Sequence, residues 1–198
     1  MTELARRLRR MLWIVQVLVR CGMLAPLRPD KYLRMAAVIR RQGTTPMTGI
    51  GLAAARRPDG AALVDERGAL TWAELDRRSD ALAVGLSKER NGGPATIGIL
   101  CRNHRGLVES LSAATRLGAD ALLLNTGFSG PQLTDVLTRE RATVLVYDDE
   151  FADLVDQSRQ QIDDLVEIVA WSEGGGTGKT VDELIAQNLG ARPARPRS

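Results

Sequence analysis

Aromatic residues are scarce in this chain: three tryptophans, two tyrosines and two phenylalanines make up 4% of its 198 residues. A core built from this sequence must therefore rest on Leu, Val, Ile and Ala. Cysteine occurs only twice, as Cys21 and Cys101, without metal or redox spacing. Each cysteine sits in an apolar run, so both read as reduced, buried thiols of a cytoplasmic protein. Histidine occurs once, as His104, with no evident cysteine or serine partner for nucleophilic chemistry. No apolar run approaches the ~20 residues that span a bilayer. There is no internal repeat. What is present is a 44% apolar content, too high for a disordered chain and enough for one domain with an appendage.

The net charge of +3 conceals a division. Residues 1–42 carry ten Lys/Arg and two Asp/Glu, a net of +8, whereas residues 43–198 carry 17 and 22, a net of −5. The basic excess thus belongs to an N-terminal arm. A nucleic-acid partner would require a basic face on the domain itself, and none is expected.

Within the arm, Arg6, Arg7, Arg9 and Arg10 precede the apolar run Met11–Val19, and Arg20 closes it. A charged start before a short apolar run resembles a secretory signal. However, Arg20-Cys21-Gly22-Met23 supplies neither an Ala-x-Ala cleavage site nor a lipobox. A second basic segment, Asp30–Arg41, places Leu33, Ala36, Ala37 and the stem of Arg40 on one helical face. Pro26 and Pro29 separate the two helices. An interfacial anchor on an anionic membrane is one expectation, with Arg6, Arg7, Arg9, Arg10, Trp13, Lys31 and Arg34 as the contact residues. The other is a pair of helices packed on the domain with their arginines in water.

Residues 43–52 read as a Gly/Thr/Pro linker. Beyond it, Ala61–Val64 and Ala69–Trp72 flank Asp65-Glu66-Arg67-Gly68, a hairpin with its turn glycine. Thr71-Trp72-Ala73-Glu74 is a capping box opening a helix with Leu75, Ser79, Leu82 and Leu86 on one face. Strand, helix, strand, helix and strand then follow. They are Ala95–Cys101, a helix marked by Leu107, Leu111, Ala114 and Leu117 and ended by Gly118, then Ala121–Leu124, a helix from Ser129, and Thr143–Tyr147. A further strand, Leu165–Ala170, and a second capping box, Thr180–Glu183, complete the pattern. This alternation predicts an α/β fold: a partial doubly wound parallel sheet, helices on both faces, behind an N-terminal β-hairpin and a basic helical arm.

Four segments, in order, carry a resemblance. Ala62–Asp65 with Leu70–Leu75, Ile97–Asn103, Ala113–Ala119 with Leu123–Thr126, and Ala142–Asp148 together resemble the opening of AMP-forming acyl-CoA synthetases of the adenylate-forming superfamily. Asn103-His104-Arg105-Gly106 and Gly130-Pro131-Gln132-Leu133 are most similar to the fatty-acyl-CoA ligases of actinobacterial type. The resemblance implies ATP-dependent formation of an acyl-AMP, then displacement of AMP by coenzyme A. That chemistry requires ATP, Mg and coenzyme A. It also requires a Ser/Thr/Gly-rich pyrophosphate loop, a ribose-binding aspartate and a lysine on a C-terminal domain. None of the matching segments is catalytic in that family. Residues 53–198 are therefore expected to form an incomplete N-terminal subdomain of a long- or medium-chain fatty-acid–CoA ligase. It would bind no cofactor and show no activity alone, and its partner would be the missing C-terminal part of the enzyme.

Two alternatives stay open: a non-catalytic module attached peripherally to a membrane, and a small nucleotide-binding protein. The second would use Gly174–Thr180, which approximates a phosphate loop but has Glu173 where that pattern needs glycine. Two smaller expectations are Asn103 as the cap of the next helix and Asp148-Asp149-Glu150 as a solvated acidic run.

Overall fold

The computed structural model describes residues 3–20, 28–90, 93–162, 164–174 and 178–194. The chain divides into two units, Met1–Arg34 and Met35–Ser198. The first holds helix α1 (Glu3–Arg20) and the start of α2 (Pro29–Gln42). No helix among the described residues is long and apolar enough to cross a membrane.

The second unit is built on a parallel sheet. Its strands are β3 (Thr96–Leu100), β4 (Asp120–Leu123), β5 (Val144–Asp148) and β6 (Val166–Trp171), in the order β4-β3-β5-β6. Every residue of β3 and β5 is buried, which is why these strands read as continuous apolar runs rather than alternating ones. Their side chains still alternate between two cores. Ile97, Ile99, Val144, Val146 and Ile168 face a cluster shared with α4 (Trp72–Glu89), α5 (Arg105–Leu117) and α8 (Val181–Asn188). Leu100, Leu145, Tyr147 and Val169 face the opposite cluster, filled by α6 (Gly130–Arg139) and α7 (Ala152–Arg159). The expected α/β sheet, helix-covered on both faces, is what the chain forms.

The local signals act where the sequence placed them. The hairpin pairs β1 (Ala61–Asp65) with β2 (Gly68–Thr71), and Gly68 takes φ +98°, open to glycine without strain. Thr71 and Glu74 close the capping box of α4: the Glu74 amide donates to the Thr71 hydroxyl at 3.2 Å, and the Thr71 amide to the Glu74 carboxylate at 2.8 Å. Gly118, in the left-handed region, ends α5.

Two elements were not legible as such. The segment 43–52, read as a linker, holds the start of helix α3 (Thr48–Arg56). Its formation is a tertiary effect: Ile50 is buried with Leu70 and Leu75 in a small separate core, and the Thr48 hydroxyl donates to the Gly43 carbonyl at 3.0 Å. Helix α7, behind a 3-10 turn at Asp149–Phe151, is carried by Phe151 and Val155 in the second core.

Ion pairs fasten the helices of the first face to one another. Glu109 of α5 is buried and accepts from Arg78 Nε of α4 at 2.5 Å, while Arg78 reaches Asp182 of α8 at 2.6 Å. Burial pushes the Glu109 carboxyl up from its ordinary value, with Arg78 opposing. Arg116 of α5 is likewise buried between Asp76 and Asp80 of α4. Such pairs contribute little over an apolar contact, but removing one partner alone is costly.

Helices α4 and α8 pack closely at Gly85, where a Cβ would lie 2.9 Å from Leu184 Cβ. Gly85→Val must therefore separate the two helices. It should destabilise the domain by about 1–3 kcal/mol in urea unfolding, whereas Ser87→Ala, two residues away, should have a much smaller effect.

Candidate functional site

In an open parallel sheet, ligands bind outside the carboxyl ends of the strands, where the strand order reverses. Here the reversal lies between β3 and β5: the chain goes from β3 outward to β4, then returns to β5 on the other side. A cleft of about 460 Å³ opens at the carboxyl ends of these strands, and its residues come from four segments. Glu66 and Arg67 come from the hairpin turn, Arg102–His104 follow β3, Asp148 and Glu150 end β5, and Trp171–Glu173 end β6.

At the centre are His104 and Asp148, both buried. Imidazole Nε2 lies 2.9 Å from Asp148 Oδ1, and the Gly106 amide donates to Nδ1 at 3.0 Å. Because Nδ1 accepts a backbone proton, the ring proton of the neutral imidazole belongs on Nε2, where it is donated to the carboxylate. The second carboxylate oxygen of Asp148 accepts from the Arg102 amide at 2.6 Å. His104 is thus the N-cap of α5, the place expected of Asn103, which is exposed. Asp148 is likewise not part of a solvated run: it is 3% exposed, Asp149 is half-buried, and Glu150 is exposed and held by Arg102 at 2.8 and 2.9 Å.

Two backbone features make the His104 position workable. Gly106 leaves room for the ring to fold back, since a Cβ there would sit 2.9 Å from the imidazole and 3.1 Å from Ala170 Cβ. In β6 the register shifts so that Tyr147 faces Val169 but Asp148 faces Trp171, leaving Ala170 as the extra residue. A bulge of this kind re-aims the following side chain. Trp171 consequently lies against His104, ring centroids 4.6 Å apart, and the Arg67 guanidinium covers the indole at 3.9 Å.

The hairpin is tied to the same corner through Asp65. Its carboxylate, 2% exposed, accepts from Arg105 Nε at 2.8 Å, Arg105 Nη2 at 2.6 Å and the Arg105 amide at 3.0 Å. These bonds hold the Asp65 carboxyl down at about 2, the Arg105 side chain contributing most.

The arrangement is a clasp rather than a cradle. The guanidiniums of Arg67 and Arg102 are engaged by Asp182 and Glu150, and three carboxylates, Glu66, Glu150 and Glu173, line the opening. A triphosphate would meet these carboxylates, so the described residues of the cleft do not fit ATP. Among the described residues no cluster of His, Cys, Asp and Glu has the form of a metal site.

The second candidate, Gly174–Thr180, lies partly outside the described residues, at 175–177. Of the rest, Lys179 pairs with Glu89 at 2.5 Å, and the Thr180 amide donates to the Glu183 carboxylate at 3.0 Å in the capping box of α8. The lysine and amide that an anion would need already serve carboxylates. The residues expected to touch a membrane lie elsewhere. Arg7, Arg9, Arg10 and Trp13 are exposed on α1, and the side chain of Arg6 is outside the described ones. Lys31 is half-buried on α2, and Arg34 lies 3.8 Å from Asp30. Cys101 is buried and its thiol is pushed up by burial, whereas Cys21 is outside the described residues.

A doubly wound α/β domain, with a hairpin clasped over the carboxyl end of its sheet, is the class of protein these features define. Residues 51–193 match the model of the AMP-binding enzyme family, and the chain belongs to that family. A feruloyl-CoA synthase of Amycolatopsis sp is 36% identical over 87 residues, 44% of this chain and 18% of the relative. The fold is shared with a benzoate CoA ligase from Burkholderia xenovorans LB400, at 17% identity and TM-score 0.63, over 87% of this chain and 31% of the ligase. It is also shared with a Mycobacterium tuberculosis fatty acyl CoA synthetase, at 18% identity and TM-score 0.62, over 85% and 31%. The chain thus spans about a fifth to a third of the length of these proteins.

Two outcomes are expected from the clasp. His104→Ala removes both the cap of α5 and the ring partner of buried Asp148. It should destabilise the domain by about 3 kcal/mol in urea unfolding, well beyond the ~1 kcal/mol of a lost cap alone. For Asp65, a carboxyl lowered in the folded state stabilises above its unfolded value of about 3.9 and loses that contribution as pH falls towards about 2. The stability gap between the wild type and Asp65→Asn should therefore be full at pH 5 and close progressively between about pH 4 and pH 2.

Proposed function

We propose that this chain forms the leading α/β segment of an ATP-dependent acid–CoA ligase. The observation that carries this reading is the match of residues 51–193 to the AMP-binding enzyme family, over a fold shared with CoA ligases. In the complete ligase a carboxylate would attack the α-phosphate of ATP, releasing pyrophosphate, and the thiol of coenzyme A would then displace AMP from the acyl-AMP. ATP, Mg and coenzyme A belong to that whole enzyme. The residues described in this segment act upon the scaffold. His104, Asp148 and Arg105 lock the loops after β3 and β5 to the hairpin, and so present the carboxyl end of the sheet as a rigid wall.

The acid proposed is a medium- or long-chain fatty acid. Asn103–Gly106 and Gly130–Leu133 support it by their likeness to fatty-acyl-CoA ligases. The 36% identity to a feruloyl-CoA synthase favours an aromatic acid as the second reading. The alternatives of a nucleotide-binding protein on Gly174–Thr180 and of a non-catalytic module have less support: Lys179 and Thr180 are engaged by carboxylates, and the family match is to enzymes.

A chimera tests the reading. Residues 51–193 would replace the corresponding segment of the M. tuberculosis fatty acyl CoA synthetase, and pyrophosphate release would be followed with dodecanoate and with ferulate. The chain alone should release none above a blank, and the chimera should turn over dodecanoate. A folded chimera inactive on both acids overturns the ligase reading. Turnover of ferulate in preference to dodecanoate replaces the fatty acid by the aromatic one.

A further inference from the structure

Helix α1 has a composition at odds with an ordinary surface helix. Over 18 residues, about 27 Å of length, it exposes Met11, Leu12, Trp13, Ile14, Val17 and Val19, with Met11, Leu12 and Trp13 each more than half accessible. Scattered exposed apolar residues are ordinary, but this many on one helix mark an interaction surface. The same helix exposes Arg7, Arg9, Arg10 and Arg20, and its only acidic residue is Glu3.

One apolar strip stands apart from the arginines, while Ile14 and Val17 lie seven residues beyond Arg7 and Arg10 on the basic side. Leu12 and Val19, seven apart, share a face that Met11 borders. Arg9, Gln16 and Arg20, at spacings of seven and four, share another, with Trp13 between them. The described helix is not long and apolar enough to cross a bilayer. An apolar face with arginines and a tryptophan beside it suits a helix lying in the plane of the headgroups. There the apolar side enters the acyl boundary, the indole sits at the interface and the guanidiniums meet lipid phosphates.

We propose that α1 is an interfacial anchor that binds this protein to anionic lipid surfaces through Leu12, Val19 and Trp13 together with Arg7, Arg9, Arg10 and Arg20. Charge complementarity selects the partner. The arm carries +8 and the remainder −5, so an anionic surface attracts the arm and not the rest of the chain. Nucleic acid would satisfy the arginines and leave the apolar face in water. The inference stands independently of the ligase reading. If both hold, the arm brings the enzyme to the phase in which a fatty acid dissolves.

The experiment uses the full chain with vesicles of phosphatidylcholine alone, and of phosphatidylcholine with roughly a quarter phosphatidylglycerol, in a sedimentation assay. Binding to the anionic vesicles should exceed binding to the neutral ones and weaken as salt shortens the screening length. Replacing Arg7, Arg9, Arg10 and Arg20 by Gln should weaken anionic binding by on the order of fivefold per residue. Leu12→Ser with Val19→Ser should abolish binding to both vesicle types, and both variants should keep the wild-type thermal melt because the replaced side chains are exposed. Equal binding to both vesicle types overturns the anionic selectivity. Absence of vesicle binding, or salt-sensitive capture of duplex DNA in place of vesicles, overturns the anchor.

Discussion

Burial of both faces of a parallel sheet is the constraint from which the rest of this structure follows. With β3 and β5 wholly buried, no side chain along them can be polar without a partner, so polar chemistry is pushed to the strand ends. There the chain must still satisfy the amide after β3 and the first amides of α5. One carboxylate, Asp148, and one imidazole, His104, answer most of that demand. The hairpin joins the same corner through Asp65 and Arg105, and α8 joins it through Asp182, Arg67 and Arg78. Each connection crosses between elements far apart in sequence, so these polar groups act as fasteners between layers that apolar packing alone would leave free to slide.

The contrast between the place and its contents bears on function. The crevice where the strand order reverses is the usual ligand position of an open α/β sheet, yet here its central side chains are paired with one another, His104 with Asp148 and Arg102 with Glu150. The chain belongs to the AMP-binding family and shares its fold with CoA ligases, and in the ligase proposed above this crevice would form one wall of a larger architecture. A wall must be stiff before it can be selective, and the Asp148 and Asp65 clasps supply stiffness.

How much of this was legible in the sequence depended on the range of the interaction. Short-range signals carried through: the capping boxes at Thr71 and Thr180, the turn glycine Gly68, the helix stop at Gly118 and the apolar runs of β3 and β5. Long-range ones did not. Nothing near Thr48 announces a helix, because Ile50 becomes apolar core only when Leu70 and Leu75 arrive beside it. Asp148 looked like part of a solvated acidic triplet because the groups that bury it, the Arg102 amide and His104, lie more than forty residues away. The histidine cap was missed for a related reason. Asn103 is the commoner capping residue, and the deciding signal was Gly106, whose missing Cβ lets the imidazole turn back on its own helix. An Asp at a strand end with a lone His before an x-Gly pair was the pattern to look for.

One consequence of His104 being both solitary and locked is practical. The chain carries a single imidazole, wedged between Trp171, Asp148 and the first turn of α5. Its ring resonances come without overlap from any other histidine, and ring current from the adjacent indole spreads them away from their unstructured positions. A one-line spectrum of this residue therefore reports at once on the end of β5, the bulge in β6 and the start of α5. The protein carries its own unlabelled sensor of whether the carboxyl end of its sheet is assembled.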